Sequence, residues 1–149
     1  MILLDGEVAV DRRREQVFDY LADVNNYPEM TPAIESAEWL SDDRASGAPI
    51  RVFARGPGRL LHIDAEVTDL QRPSRLAVRS ISGPARIEAS CEFDALARGR
   101  RTQLSFHIEL QPTGLFRFAQ GAISERLHRE LPDALSALRT HLEAALPAT

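Results

Sequence analysis

Leu60-Leu61-His62-Ile63-Asp64-Ala65-Glu66-Val67-Thr68-Asp69-Leu70 alternates from end to end. Leu61, Ile63, Ala65 and Val67 fall on one face, and His62, Asp64, Glu66 and Thr68 fall on the other. A period of two is the signature of a strand with one dry and one wet side. Two later segments repeat it: Ile87, Ala89, Cys91 and Phe93 oppose Glu88, Ser90, Glu92 and Asp94, and Leu104, Phe106, Ile108 and Leu110 oppose Gln103, Ser105, His107 and Glu109. These strands build a sheet with a charged outer surface and an apolar inner one, to which Val78 of a neighbouring strand is also assigned.

The pattern extends in both directions. Candidate strands cover residues 34–40, 50–55, 60–70, 76–81, 86–96 and 103–111. Between them stand turn-forming residues: Asp42-Asp43 through Gly47, Gly56-Pro57-Gly58, Arg72-Pro73-Ser74, Gly83-Pro84 and Arg98-Gly99-Arg100. No break has room for the crossover helix that a parallel sheet needs, so the strands form an antiparallel meander. Ahead of it, residues 3–10 alternate as a further strand. Asp11 stands at an N-cap position before a short helix over residues 12–23, with Val17, Tyr20, Leu21 and Val24 at helical spacing. Asn25-Asn26-Tyr27-Pro28 ends that helix, and an irregular turn continues to Pro32. After Thr113-Gly114 the period becomes helical. Ala119, Ile123, Leu127, Leu131, Leu135, Leu138 and Leu142 form one stripe of a long C-terminal helix, and Pro132 is expected to kink or divide it.

The 149 residues fit one domain, residues 1–149. With 44% hydrophobic and 27% charged residues the chain is not of the disordered class. A formal charge of -4 lacks the basic footprint of a general nucleic-acid binder and disfavours anionic membrane surfaces. The sequence contains no lysine, which excludes Schiff-base chemistry through that side chain. Cys91 is the only cysteine, so no internal disulfide can form. The apolar Met1-Ile2-Leu3-Leu4 is interrupted by Asp5 and Glu7 before a signal peptide or membrane span is complete. A cytoplasmic location is the expectation, without stable membrane insertion.

Candidate chemistry is sparse. His62, Asp64 and Glu66 share a strand face, but alternation on a half-solvated sheet produces such rows by default, and no metal or other cofactor is expected. Gly56-Pro57-Gly58 is a turn rather than a phosphate cradle, since no Gly-Lys-Ser/Thr follows it. Cys91 belongs to the apolar face, where a thiol behaves as a small hydrophobe. Tyr20, Tyr27 and His128 are the candidates for acid-base work: Tyr20 lies on the first helix's apolar face, Tyr27 in the turn after it, and His128 beside the long helix's stripe near Pro132.

The order strand, short helix pair, meander, long helix, with Val-Phe-Asp-Tyr-Leu-Ala-Asp-Val-Asn-Asn-Tyr-Pro-Glu-Met at residues 17–30, resembles the START-related helix-grip superfamily. More narrowly it resembles the polyketide cyclase/dehydrase and lipid-transport branch (SRPBCC). Glu7-Val8-Ala9-Val10 and Pro73-Ser74-Arg75-Leu76 belong to the same likeness. The resemblance implies an α+β helix-grip fold, with a curved antiparallel sheet wrapped around the C-terminal helix and a short helix pair after the first strand. It also implies a small hydrophobic or amphipathic ligand, such as a lipid, polyketide or quinone-like molecule, held between sheet and helix. The cavity wall would then comprise Tyr27, Leu61, Ile63, Ala65, Val67, Val78, Ile87, Ala89, Cys91, Phe93, Leu104, Phe106 and Ile108, with Ala119, Ala122, Ile123 and Leu127 from the helix. A polyketide cyclase or dehydratase is the alternative. A coenzyme-Q-binding or ribosome-associating module, suggested by residues 26–32, is the third. Oligomeric state is left open.

Overall fold

The computed structural model describes residues 1–56 and 58–148; Pro57, at the tip of one predicted turn, lies outside the described residues. Seven antiparallel strands form one sheet: β1 Ile2–Val10, β2 Ile34–Trp39, β3 Pro49–Gly56, β4 Arg59–Gln71, β5 Arg75–Ser82, β6 Ala85–Leu96 and β7 Arg101–Pro112. Their order is β1-β7-β6-β5-β4-β3-β2. The six later strands thus pair in sequence, and β1 closes onto β7 with Ile2 opposite Leu110 and Val10 opposite Thr102. Between β1 and β2 lie α1 (Arg14–Ala22), a 3-10 turn (Val24–Asn26) and a one-turn helix α2 (Tyr27–Met30). After β7, a 3-10 segment (Gly114–Ala119) leads into α3 (Gln120–Ala145). The architecture is the expected helix-grip α+β fold.

The alternation read from the sequence is the alternation of the sheet. Ala65, Val67, Cys91, Phe93 and Leu104 are buried, while His62, Glu88, Glu92 and His107 are exposed. On the outer face the charged rows neutralise one another. Arg51 Nε donates to Asp64 Oδ1 at 2.9 Å, Arg75 binds Asp69 and Glu92 at 3.0 Å each, and Arg79 reaches Glu66. The row His62, Asp64, Glu66 is therefore interleaved with arginines from neighbouring strands.

The dense core sits at one end of the sheet. Val10, Val17, Phe18, Leu21, Phe93, Leu104, Leu138 and Leu142 belong to one buried cluster, with Phe18 and Phe93 in edge contact at 5.1 Å between ring centroids. The C-terminal half of α3 is bolted there. Arg12 Nε donates to Leu146 O at 3.1 Å, Arg12 also reaches Glu143 O, and the Asp11 N–H donates to Glu143 Oε2 at 2.8 Å. Thr102, fully buried, donates its hydroxyl to Arg12 O at 2.8 Å. These bonds explain one departure from expectation. Asp11 does not cap α1: residues 11 and 12 stay non-helical because α3 and β7 claim their polar groups, and the helix begins at Arg14.

Closer to its start, α3 passes over β1. Gly6 permits that approach, since a Cβ there would lie 2.7 Å from Leu135 Cδ1. Pro132 does not divide α3, which runs as one helix through it. Pro132 and His128 are both exposed, so the carbonyl freed by the missing N–H faces water instead of a dry interior.

Two outcomes follow from this packing. Leu104→Ala and Leu142→Ala, each at 0% exposure, should each cost about 2–5 kcal/mol of unfolding free energy in urea titrations, while Gln103→Ala should stay within about 0.5 kcal/mol. Similar losses at Leu104 and Gln103 would mean that the β7 register is shifted by one. The second outcome concerns Glu143, whose bond from the Asp11 N–H, together with nearby Arg139 and Arg12, holds its carboxyl below the usual carboxylate range. A depressed folded-state pKa gives stability that is present above the unfolded value and lost as pH falls through the folded one. Glu143→Gln should therefore be less stable than wild type at neutral pH, and the gap should close on acidification below about pH 4. A gap that is constant with pH would assign Glu143 no such role.

Candidate functional site

Beyond the dense core the inner face of the sheet is hollow. An apolar cavity of about 500 Å³ opens there, walled by inward residues of β3 to β7 and rimmed by Leu21, α2 and the start of β2. Ile50 and Val52 of β3, Ile63 and Ala65 of β4, Leu76 and Val78 of β5, Ile87, Ala89 and Cys91 of β6, and Phe106, Ile108 and Leu110 of β7 line it. Among the described residues no charged side chain does. A groove of about 470 Å³ on the outer face, lined by Arg79, Arg86, Glu88 and Glu109, is a charged and solvated surface of different character.

The rim owes its position to local sequence. Asp23 Oδ1 accepts from Asn25 N at 3.1 Å and from Trp39 Nε1 at 3.4 Å, so the chain turns sharply after α1. Asn26 Nδ2 donates to Tyr20 O at 2.8 Å, and Thr31 N donates to Tyr27 O at 3.2 Å, closing α2 as a single turn. The Tyr20 hydroxyl completes the arrangement. It donates to Glu29 Oε2 at 3.1 Å and lies 2.6 Å from His141 Nε2, tying α1, α2 and α3 together. Burial, then the hydrogen bond and charge of Glu29, push the Tyr20 hydroxyl up to about 12.

Of the sequence-assigned wall, Tyr27, Ile63, Ala65, Val78, Ile87, Ala89, Cys91, Phe106 and Ile108 line the cavity. The others are elsewhere. Val67, Phe93 and Leu104 are close-packed core at 1%, 1% and 0% exposure, because helices fill the inner face at their end of the sheet. Leu61 packs toward Gly56 at the β3–β4 hairpin. Ala119 and Ala122 are exposed, and Ile123 and Leu127 are half-buried without lining the cavity, because the first half of α3 does not descend onto the hollow.

The acid-base candidates also separate. Tyr27 is a wall residue; Tyr20 serves the helix junction; His128 is exposed, with Nε2 at 2.9 Å from Leu3 O and Nδ1 at 2.8 Å from Ser124 O, so it joins α3 to β1 rather than facing inward. Sequence reading missed Met30, Ile34, Ile50, Val52 and Leu76, and placed Leu110 on the inner face without assigning it to the wall. Ile50, Val52 and Leu76 were accessible from the same alternation that marked their neighbours. His141 was not, since 121 residues separate it from Tyr20.

Within the cavity the titratable side chains are held neutral. Burial pushes the Cys91 thiol up to about 12. Burial and the charge of Asp23 push Tyr27 up to about 12 as well. At neutral pH the wall therefore offers donors and apolar surface, with no base poised near pH 7.

Solved structures share this fold at low identity. A START superfamily protein from Mycobacterium smegmatis superposes with a TM-score of 0.79 at 18% identity, covering 98% of this chain and 100% of its own. TTHA0849 from Thermus thermophilus does so with 0.77 at 18%, covering 97% and 99%. The Zhui aromatase/cyclase from Streptomyces sp. R1128 gives 0.73 at 18%, covering 96% and 92%. No curated protein matches the chain. The family model described as polyketide cyclase / dehydrase and lipid transport matches residues 1–143. With nearly the whole chain inside that match, and a helix-grip sheet closed over an apolar hollow, the protein belongs to the polyketide cyclase / dehydrase and lipid transport family.

Proposed function

We propose that the protein binds a small apolar or amphipathic molecule in the cavity between its sheet and α2. The observation that carries this reading is a hollow of about 500 Å³ whose wall has no charged side chain among the described residues. An apolar space of that size forgoes packing that a close-packed interior would have, and an apolar occupant would restore those contacts. A ligand burying on the order of 300 Å² of apolar surface would gain roughly 7 kcal/mol at about 25 cal/mol per Å², before the cost of association. Micromolar to millimolar dissociation constants follow from what remains.

A binding role suits the wall better than catalysis. General acid-base catalysis works best with a group that titrates near the operating pH, whereas Tyr27 and Cys91 are both pushed up to about 12. The likeness to an aromatase/cyclase concerns the fold. On this reading the protein sequesters or carries its ligand, and the chemistry of that ligand is done elsewhere.

The test uses the neutral fluorescent probe N-phenyl-1-naphthylamine. Wild type should bind it in the micromolar range. Ala89→Trp, which puts an indole into the hollow, should abolish binding with little change in melting temperature, and Glu88→Trp on the outer face should leave binding intact. Probe binding that survives Ala89→Trp would place the ligand site outside this cavity, and an unfolded Ala89→Trp beside a wild type that binds no probe would mark the region as packed core. For the cyclase alternative, an aromatic polyketide chain offered to the wild type should emerge unchanged; conversion that is lost in Tyr27→Phe while the affinity is kept would make the protein an enzyme.

A further inference from the structure

The cavity wall holds five polar side chains; three of them bond to backbone and a fourth belongs to the outward set. Thr31 Oγ1 accepts from Ala33 N at 3.2 Å. Ser80 Oγ accepts from Ile87 N at 2.8 Å and donates toward Ala85 O at 3.4 Å. Cys91 lies with its sulfur 3.8 Å from Glu92 O. Ser90 stands opposite His107 in the β6–β7 register, on the outward set of the alternation, so only its strand position borders the hollow.

Tyr27 is different. It sits on α2 at the rim, half-buried, and its hydroxyl makes no hydrogen bond to another described residue while keeping some contact with solvent. A donor with no protein partner is left for water or a ligand to satisfy, and the ring that carries it borders an apolar space large enough for a ligand. The element holding it is fixed: Asn26 and Thr31 bind its two ends, and Tyr20 clamps Glu29 on the same turn. The donor is thus preorganised, and an acceptor brought in by a ligand would satisfy it without rearranging the rim.

The acceptor's charge is constrained too. Among the described residues no arginine or histidine lines the cavity, and the carboxylate of Asp23, one turn before Tyr27, is close enough to act on its hydroxyl. A carboxylate or phosphate buried here would lose its hydration, meet no cation and be repelled by Asp23. We propose that Tyr27 is a specificity-determining hydrogen-bond donor that selects neutral apolar molecules carrying a carbonyl-type oxygen, seated with that oxygen at α2 and the hydrocarbon against β6 and β7. This deepens the cavity reading above and rests on it. Free fatty acids and phospholipids are excluded by the same argument, although their chains would suit the wall.

The experiment displaces N-phenyl-1-naphthylamine with three naphthalenes of similar size: 2-acetylnaphthalene, 2-ethylnaphthalene and 2-naphthoate. Tyr27→Phe should weaken the ketone roughly fivefold to tenfold and leave the hydrocarbon unchanged or slightly tighter. In wild type the carboxylate should bind at least about a hundredfold more weakly than the ketone. A ketone affinity indifferent to Tyr27→Phe, with the hydrocarbon still bound, overturns the role of Tyr27 and leaves the cavity as a ligand site. Carboxylate binding as tight as ketone binding overturns the selection for neutral ligands, and needs only the wild type, so it decides even if the variant does not fold. Failure of the probe and all three naphthalenes to bind wild type overturns the cavity reading itself, and this inference with it.

Discussion

The seating of α3 governs the rest of the molecule. Its C-terminal half is held by Leu138 and Leu142 in the buried cluster and by the bonds that join Arg12 and Asp11 to Leu146 and Glu143. Its first half is tied at its own level by His128 to Leu3 O of β1 and by Gln120 to Gln111 of β7, and it does not enter that cluster: Ala122 is exposed, and Ile123 and Leu127 are only half-buried. One helix therefore fills the inner face of the sheet at one end and leaves it unfilled at the other. Strands long enough to cross both regions carry core residues and cavity residues on the same face, as β6 does with Phe93 and Ala89 and β7 with Leu104 and Ile108.

This division bears on stability and function in opposite ways. Burial at the closed end supplies the hydrophobic stabilisation that lets the open end remain unpacked, because a cavity forgoes contacts that must be offset elsewhere. The polar bonds that close the core act at the ends of elements: Thr102 with Arg12, and Glu143 with Asp11. None touches the hollow, so the wall is free to be apolar. Its rim is governed separately by the Tyr20, Glu29 and His141 contacts and by the turn chemistry of Asp23 and Asn26.

What the sequence made legible, and what it did not, follows from the range of each cause. Alternation is a property of neighbours, so strands, faces and their order were readable from residues such as Leu61 to Thr68, and the outward charges of Glu88, Glu92 and His107 came with them. Whether an inward residue meets helix or empty space depends on a helix far along the chain, since β4 ends at Gln71 and α3 begins only at Gln120. Phe93 and Ala89 look alike in that respect, since both are inward and apolar on one strand, yet one is core and the other wall. Asp11 carried the local signature of a cap, and the distant Glu143 and Thr102 overrode it. The pairing of Tyr20 with His141 left no periodic trace at all. The family resemblance supplied the hollow that alternation could not, but placed too much of its wall on α3.

A hollow of this kind also limits what can happen inside it. Ionisation is suppressed by the same burial that makes the wall apolar: Cys91 and Tyr27 both keep their protons, and charged side chains such as Arg51, Asp64, Asp69 and Arg75 lie on the other face of the sheet, paired with one another. Catalysis on a bound molecule needs charge to be met as it develops, by preorganised donors or a base of matched pKa. The neutral Tyr27 hydroxyl at the rim can orient a ligand by one hydrogen bond. An ionisable side chain at an inward position such as Ala65, Val78 or Ala89 would need a second group across the hollow to stabilise its charged state, because desolvation alone would drive it back to neutrality. The wall has small or aliphatic residues at all three positions, a composition that suits the neutral ligand proposed above.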